Sequence, residues 1–325
     1  MKSREQGAGK REQLAFGARG GMGGGVLRVT WARSRASVVG CVLVAGVLVG
    51  CAPPRSSRIT IGAKNFTEQV IAGEMLAQEI EAVGHRRVER RFYLAGSYIC
   101  QQALVGGRID AYVEYTGTAL TAILKQPVDR DAGRVLATIR DLYAKRYQVK
   151  VEAPLGFEDT FAMVVRGDDA RRMGLRTLSD AVPHAGGWRL GVGYEFEERP
   201  DGLRGMEAAY GLRFAGAPRV MDLGLLYRSL SARQVDIVAG NSTDGPIQAL
   251  GFAVLADDRH YFPPYEAVPL VREESLRAHP EMQVAMDRLA GRVSAEEMRA
   301  MNEAVDGGHR DAGEVVRQFR AGKGL

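Results

Sequence analysis

Residues 107–120 read GRIDAYVEYTGTAL, and the way this stretch divides decides the fold. Arg108–Val113 alternates with a period of two and is built from β-favouring residues, as a buried strand should be. Glu114-Tyr115-Thr116-Gly117-Thr118 follows, a polar and aromatic ending that no core requires. In open α/β sheets ligands bind outside the carboxyl ends of the strands. The stretch therefore predicts a strand that delivers Tyr115 and Thr118 to a cleft, with Gly117 permitting a tight backbone between them.

The flanking sequence supplies the rest of such a sheet. Arg58–Ala63 reads as a strand, and Asn65 or Thr67 is placed to cap the helix carried by Val70, Ile71, Met75, Leu76, Ile80 and Val83, with Gly84 as its stop. A strand at 88–94 and a helix from Ser97 precede the opening stretch, so strand and helix alternate as in a largely parallel sheet. After a helix at 130–146 and a β-rich run at 160–166 the pattern restarts. Strands are predicted at 189–192, 219–221 and 235–239, helices at 178–181, 202–210 and 225–231, then a strand at 266–272 and a helical tail. The fold class is α/β, with two lobes forming a hinged clamshell. Lobe 1 is expected over 59–160 plus 272–325 and lobe 2 over 161–271. The crossing strands are placed near 161–166 and 266–271, and the tail packs back on lobe 1.

The 325 residues suit two lobes, and 46% apolar with 26% charged residues is a folding composition. The net charge of +5 is unevenly placed. Residues 1–50 hold eight bases (Lys2, Arg4, Lys10, Arg11, Arg19, Arg28, Arg33, Arg35) and two acids (Glu5, Glu12), so the remainder is close to neutral. A nucleic-acid partner has no electrostatic support. Residues 36–51, ASVVGCVLVAGVLVGC, are a basic-flanked apolar run of signal-peptide length that ends Leu48-Val49-Gly50-Cys51. This resembles a bacterial lipobox. Residues 1–50 are thus expected to be a lipoprotein signal peptide, with Met22 a second candidate start. Cys51 is the lipidated residue and 51–58 a tether. Cys41 leaves with the leader and Cys100 is then a lone thiol, read as a small packed residue.

Six segments in order, IGAKNFTEQ, AYVEYTGTAL, GFEDTFAMVV, GYEFEERPDGLRGMEAAYGL, NSTDGPI and DDRHYFPPYEAVPLVR, span Ile61 to Arg272. Together they resemble the substrate-binding lipoproteins of ABC importers for glycine betaine, choline, carnitine and related quaternary amines. The resemblance implies a type II periplasmic-binding-protein fold and an extracytoplasmic, lipid-anchored monomer. It also implies delivery of ligand to a permease and its ATPase, with no cofactor and no metal. By the same resemblance the ligand cage falls on Tyr115, Phe161, Asn241 and Tyr265. Thr118 is then a contact, and Lys64 and Asn65 approach from the first strand. The chemistry suits such ligands: a trimethylammonium group donates no hydrogen bond, and aromatic faces attract it by about 0.5–2 kcal/mol per favourable contact. A carboxylate, where present, needs N–H or hydroxyl donors. Phe161 lacks the hydroxyl usual at its position, and Asn241 stands where strong betaine binders carry tyrosine. That exchange weakens a betaine cage and suits a larger zwitterion such as ergothioneine, the alternative ligand.

Other residues have plainer readings. Asp244 is read as a cap for the helix after it, Glu114 and Arg199-Pro200-Asp201 as structural hydrogen-bonding groups, and Tyr194 as an undecided neighbour of the cleft. The five histidines show no metal-ligand spacing and no nucleophile partner. The glycine run at 20–26 lacks the lysine of a phosphate loop. No enzyme is expected, and a ligand-sensing lipoprotein or an enzyme on the same fold ranks behind the receptor.

Overall fold

The computed structural model describes residues 58–325; the leader and Cys51 lie outside them. The chain opens with β1 (Ile59–Gly62), buried along its whole length, and α1 (Thr67–Gly84). Then come β2 (Val88–Arg91), α2 (Ser97–Val105) and β3 (Ala111–Tyr115). The helical turn Thr116–Thr118 widens into a π-helical turn at Ala119–Ile123. Next are α3 (Ala132–Tyr147) and β4 (Val149–Val151). The second half holds β5 (Phe161–Arg166), α4 (Gly167–Met173), α5 (Leu178–Ala185), β6 (Leu190–Val192), α6 (Tyr194–Glu198) and α7 (Leu203–Tyr210). It continues with β7 (Arg219–Val220), α8 (Leu223–Ser231), β8 (Ile237–Asn241), α9 (Gly245–Ala249) and β9 (Phe252–Leu255). After β10 (Ala267–Arg272) the tail is helical: α10 (Glu273–Ala278), α11 (Glu281–Leu289), α12 (Ala295–Asp306) and α13 (Ala312–Lys323).

Two five-stranded sheets result, ordered β2-β1-β3-β10-β4 and β7-β6-β8-β5-β9. In each, one strand is antiparallel to both neighbours: β10 between β3 and β4, and β5 between β8 and β9. The reason is topological. The other strands end at the cleft, whereas β5 and β10 begin there because the chain enters each from the opposite lobe. The crossing itself is made by the residues just ahead of these strands, held by the bridge between Glu158 and Glu266. Asp159 N–H donating to the Tyr265 carbonyl at 3.1 Å secures it further. Residues 267–271 therefore belong, with Arg272, to the first sheet, not to the second lobe as the sequence suggested. Five registered pairs with β3 hold them there, from Ala267 opposite Tyr115 to Val271 opposite Ala111.

Alternation in β3 is real and both faces are covered. Ala111, Val113 and Tyr115 join the apolar cluster that includes Ile71 and Met75 of α1, while Tyr112 packs with Ile139 and Tyr143 of α3. A strand buried on both faces is expected inside a mixed sheet flanked by helices. α11, α12 and α13 pack on α1, so the tail closes the outer face of the first lobe.

Local details differ from expectation at both ends of α1. Its N-cap is Phe66, and no side chain caps it. Thr67 Oγ1 instead donates to Asp306 Oδ1 at 2.5 Å, tying α1 to α12. The helix runs through Gly84, and His85 takes the left-handed position at φ 50°. Gly84 serves packing: a Cβ there would lie 2.8 Å from Glu281 Cγ.

Candidate functional site

The register of the central strands assembles the site. Phe161, first residue of β5, stands opposite Asn241, last of β8; in the other sheet Tyr115, last of β3, faces Ala267, two residues after Tyr265. Lys64 and Asn65 leave the end of β1, and Thr118 follows β3 by one helical turn. All seven residues chosen from the sequence line a single cavity of about 450 Å³ between the sheets. Size and lining are ordinary for a small-molecule pocket.

Most of these side chains are already engaged. Lys64 Nζ, buried, donates to the buried carboxylate of Glu114 and lies 4.6 Å from the Tyr115 ring centroid. The Tyr115 hydroxyl donates to Glu68 Oε1 at 2.6 Å. Gly117 follows, and its backbone is not in the left-handed region: a Cβ would lie 2.7 Å from Tyr265 Cε1 and 2.8 Å from the Pro264 carbonyl. Glycine is thus required there because the Tyr265 segment passes against it, a close approach instead of a special dihedral.

Arg199 is the largest departure from the sequence reading. It is structural, as expected, yet it also lines the cavity. Its guanidinium lies 4.7 Å from the Phe161 centroid and 5.7 Å from that of Tyr265. Nε and Nη2 hold Asp201 in a fork at 2.9 and 2.5 Å, and Nη1 donates to Thr118 Oγ1 at 2.9 Å. The Tyr265 hydroxyl donates to Asp201 Oδ2 at 2.6 Å. Burial by itself would favour neutral arginine, but Tyr265 and Asp201 outweigh it and hold the pKa above its ordinary value. Burial likewise opposes the charge on Asp201, and Arg199 and Tyr265 keep its carboxyl below the usual range. The fork is the arrangement arginine makes best with a carboxylate. Around it the Phe161 ring meets Phe196 edge-on at 4.8 Å and Tyr265 at 5.6 Å. Tyr115 and Tyr265 are nearly fully buried; Phe161 is the most open of the three rings.

Behind the cavity a second network joins the lobes. Glu68 of α1 accepts from Tyr115, from Thr243 Oγ1 and, at 3.2 Å, from Asn302 Nδ2 of α12. Asn302 Nδ2 also donates to the Thr243 carbonyl at 2.8 Å. Asp159 accepts from Thr243 N–H at 3.3 Å. Asp244 accepts from the Tyr227 hydroxyl at 2.6 Å and from Asn241 N–H at 2.8 Å, so its carboxylate pins the β8 end instead of capping α9. Burial, unrelieved by any bonded lysine or arginine, pushes the Glu68 carboxyl up to about 7 and Asp244 to about 6, and raises Asp159 well above its ordinary value. Hydrogen bonds from Thr243, Tyr115 and Asn302 act against the rise at Glu68.

Among the lining residues that escaped the sequence reading are Tyr98 and Ser97 at the start of α2, Glu195 of α6, and the acids Asp159, Glu198 and Asp222. Glu195 sits in the quoted GYEFEERPDG segment and was the legible signal; Tyr194 beside it is 64% exposed at the rim. Cys100 is buried, and burial pushes its thiol up to about 12, which suits a packed residue. Among the described residues no cluster of histidine, cysteine and acidic side chains suits a metal ion, and no helix is long and apolar enough to cross a membrane.

Comparison with known proteins places this geometry. The profile of the substrate binding domain of the ABC-type glycine betaine transport system matches residues 57–322. A carnitine transport binding protein of Listeria monocytogenes is 32% identical over 274 residues, 84% of this chain and 89% of that protein. An ergothioneine transport permease/ergothioneine binding protein of Helicobacter pylori is 30% identical over 249 residues, 76% of this chain and 44% of that longer protein. A crystal structure of a glycine betaine/carnitine/choline ABC transporter superposes with a TM-score of 0.67 at 32% identity, covering 81% of this chain and 98% of the other. The two-lobed α/β fold, the cleft at the strand ends and a family match over nearly every described residue agree: this chain belongs to the substrate-binding domains of ABC-type glycine betaine transport systems.

Proposed function

We propose that the protein captures a quaternary-amine solute (glycine betaine, choline, carnitine or a relative) in this cavity, outside the cytoplasm, and presents it to an ABC permease. The observation that carries the reading is the convergence of residues from five separate segments, Lys64-Asn65, Tyr115 with Thr118, Phe161, Asn241 and Tyr265, on one cavity between two sheets. The open ring of Phe161 is the first candidate for the ammonium group, with Tyr98 and Tyr194 nearer the rim. Docking on one lobe and closure about the crossing at Glu158 and Glu266 completes the cycle. Cys51 anchors the receptor to the membrane by lipid.

Ergothioneine is the second reading, supported by the Asn241 amide in the cavity wall, which adds hydrogen-bonding capacity where a plain cage needs none. The test is a thermal-shift screen followed by calorimetry with glycine betaine, choline, carnitine and ergothioneine. A ligand bound only by the native state raises the melting temperature once its concentration exceeds Kd. At least one of the four should do so in the wild type and fail to do so in Phe161→Ala. No response to any of them overturns the reading.

A further inference from the structure

The N-terminus of α2 is already occupied from across the cleft. Glu195, on the second lobe, accepts the Ser97 N–H with Oε1 at 2.5 Å and the Ser97 hydroxyl with Oε2 at 3.2 Å. Ser97 is fully buried and the three groups lie in the cavity wall. The approach is so close that a Cβ on Gly96 would fall 2.1 Å from Glu195 Oε1, so glycine at 96 is a condition of the contact. A backbone N–H and a hydroxyl at the start of a helix are what a ligand's own carboxylate would seek. Here a protein carboxylate has taken them.

The remaining charges point the same way. The two cations in the wall are matched, Lys64 by Glu114 and Arg199 by Asp201. Asp159, Glu195 and, at exposed positions, Glu198 and Asp222 also line the cavity, so its wall is left with an excess of acidic groups. Such a wall attracts a cation and repels a second carboxylate.

We propose that Glu195 is a specificity-determining residue: by filling the Ser97 donors it excludes carboxylate-bearing ligands and selects cationic amines without a carboxylate, the choline class. This rests on the quaternary-amine reading given above. A betaine must either displace Glu195 from Ser97 or leave its own carboxylate in a cavity with unmatched acidic groups in its wall, whereas a choline-type cation does neither. Because Ser97 and Glu195 sit on opposite lobes, the bond they make also belongs to the closed form.

The test compares calorimetric Kd values for choline and glycine betaine in the wild type, Glu195→Gln and Glu195→Ala at pH 7.5, with circular dichroism to verify folding. The wild type should favour choline. Glu195→Ala, which frees Ser97 and removes the charge, should move the ratio of affinities by about tenfold or more toward glycine betaine. Glu195→Gln keeps the size and a carbonyl acceptor for Ser97, and should move the ratio part of the way. Tighter binding of glycine betaine than choline by the wild type, or a ratio unchanged within about twofold in both variants, overturns the inference alone. If the wild type binds no quaternary amine, the functional reading falls and takes this inference with it.

Discussion

Replacing Glu68 by glutamine should remove one component of the pH dependence of stability. Glu68 is buried, accepts hydrogen bonds from Tyr115, Thr243 and Asn302, and faces the acids Asp244 and Asp159 with no bonded cation. Its carboxyl rises from 4.5 to about 7 on folding because burial penalises the charge. The folded state therefore binds the proton more tightly than the unfolded chain. Below pH 4.5 both states are protonated and Glu68 carries no penalty; between 4.5 and about 7 the unfolded chain releases the proton while the folded chain keeps it, so stability falls, and the loss is complete once the folded state ionises too. At about 1.4 kcal/mol per pH unit the loss across this window is about 3 kcal/mol. The Glu68→Gln variant has the same shape and no proton to lose. Urea unfolding followed by circular dichroism at pH 4.5, 5.5, 6.5 and 8 should show the variant gaining about 3 kcal/mol on the wild type from the acid end to the alkaline end. Asp244 and Asp159 titrate in both proteins; because the Glu68 charge helps to raise Asp159, removing it lightens that load too and leaves the sign of the difference unchanged. Two parallel stability curves would refute the reasoning, because Glu68 would then ionise alike in the folded and unfolded chains.

Arg199→Ala should cost about 3–5 kcal/mol in urea unfolding, since it leaves the Asp201 carboxylate buried without a cationic partner; a cost under about 1 kcal/mol would mean that solvent reaches Asp201 in the variant. Cys51→Ser should shift the full-length protein from the membrane fraction to the soluble one and abolish its labelling by a fatty-acid probe. Retention of both would show that Cys51 is not the anchor.

The opening stretch was legible because its signals are local. Alternation in Arg108–Val113 and the polar surplus after it place a strand end near 115, and β3 ends at Tyr115. Phe161, Asn241 and Tyr265 were singled out through the family resemblance, and each lies at or beside a strand end, as Tyr115 does. Short or weakly patterned elements escaped. β4 and β9 were missed because three or four residues beside an exposed loop give no usable period, and β7 keeps only two residues. Membership of β10 was misread because a strand's sequence records its burial but not which sheet buries it.

Periodicity and residue type along the chain were thus enough for the alternation of strands and helices, the two α/β lobes and the strand end at Tyr115, while the other cage residues came from the family resemblance. What only the tertiary structure decided is who meets whom across the cleft. Arg199 lies against Phe161, Glu195 caps Ser97, and Glu68 joins Tyr115 to Thr243 and Asn302. These partners are separated by tens to hundreds of residues, and charge and hydrogen-bond pairing at that distance is set by how the sheets face each other. Even Gly117 shows the difference: the local reading gives it a tight backbone, and the folded chain shows a tyrosine ring pressed against the place where its side chain would be.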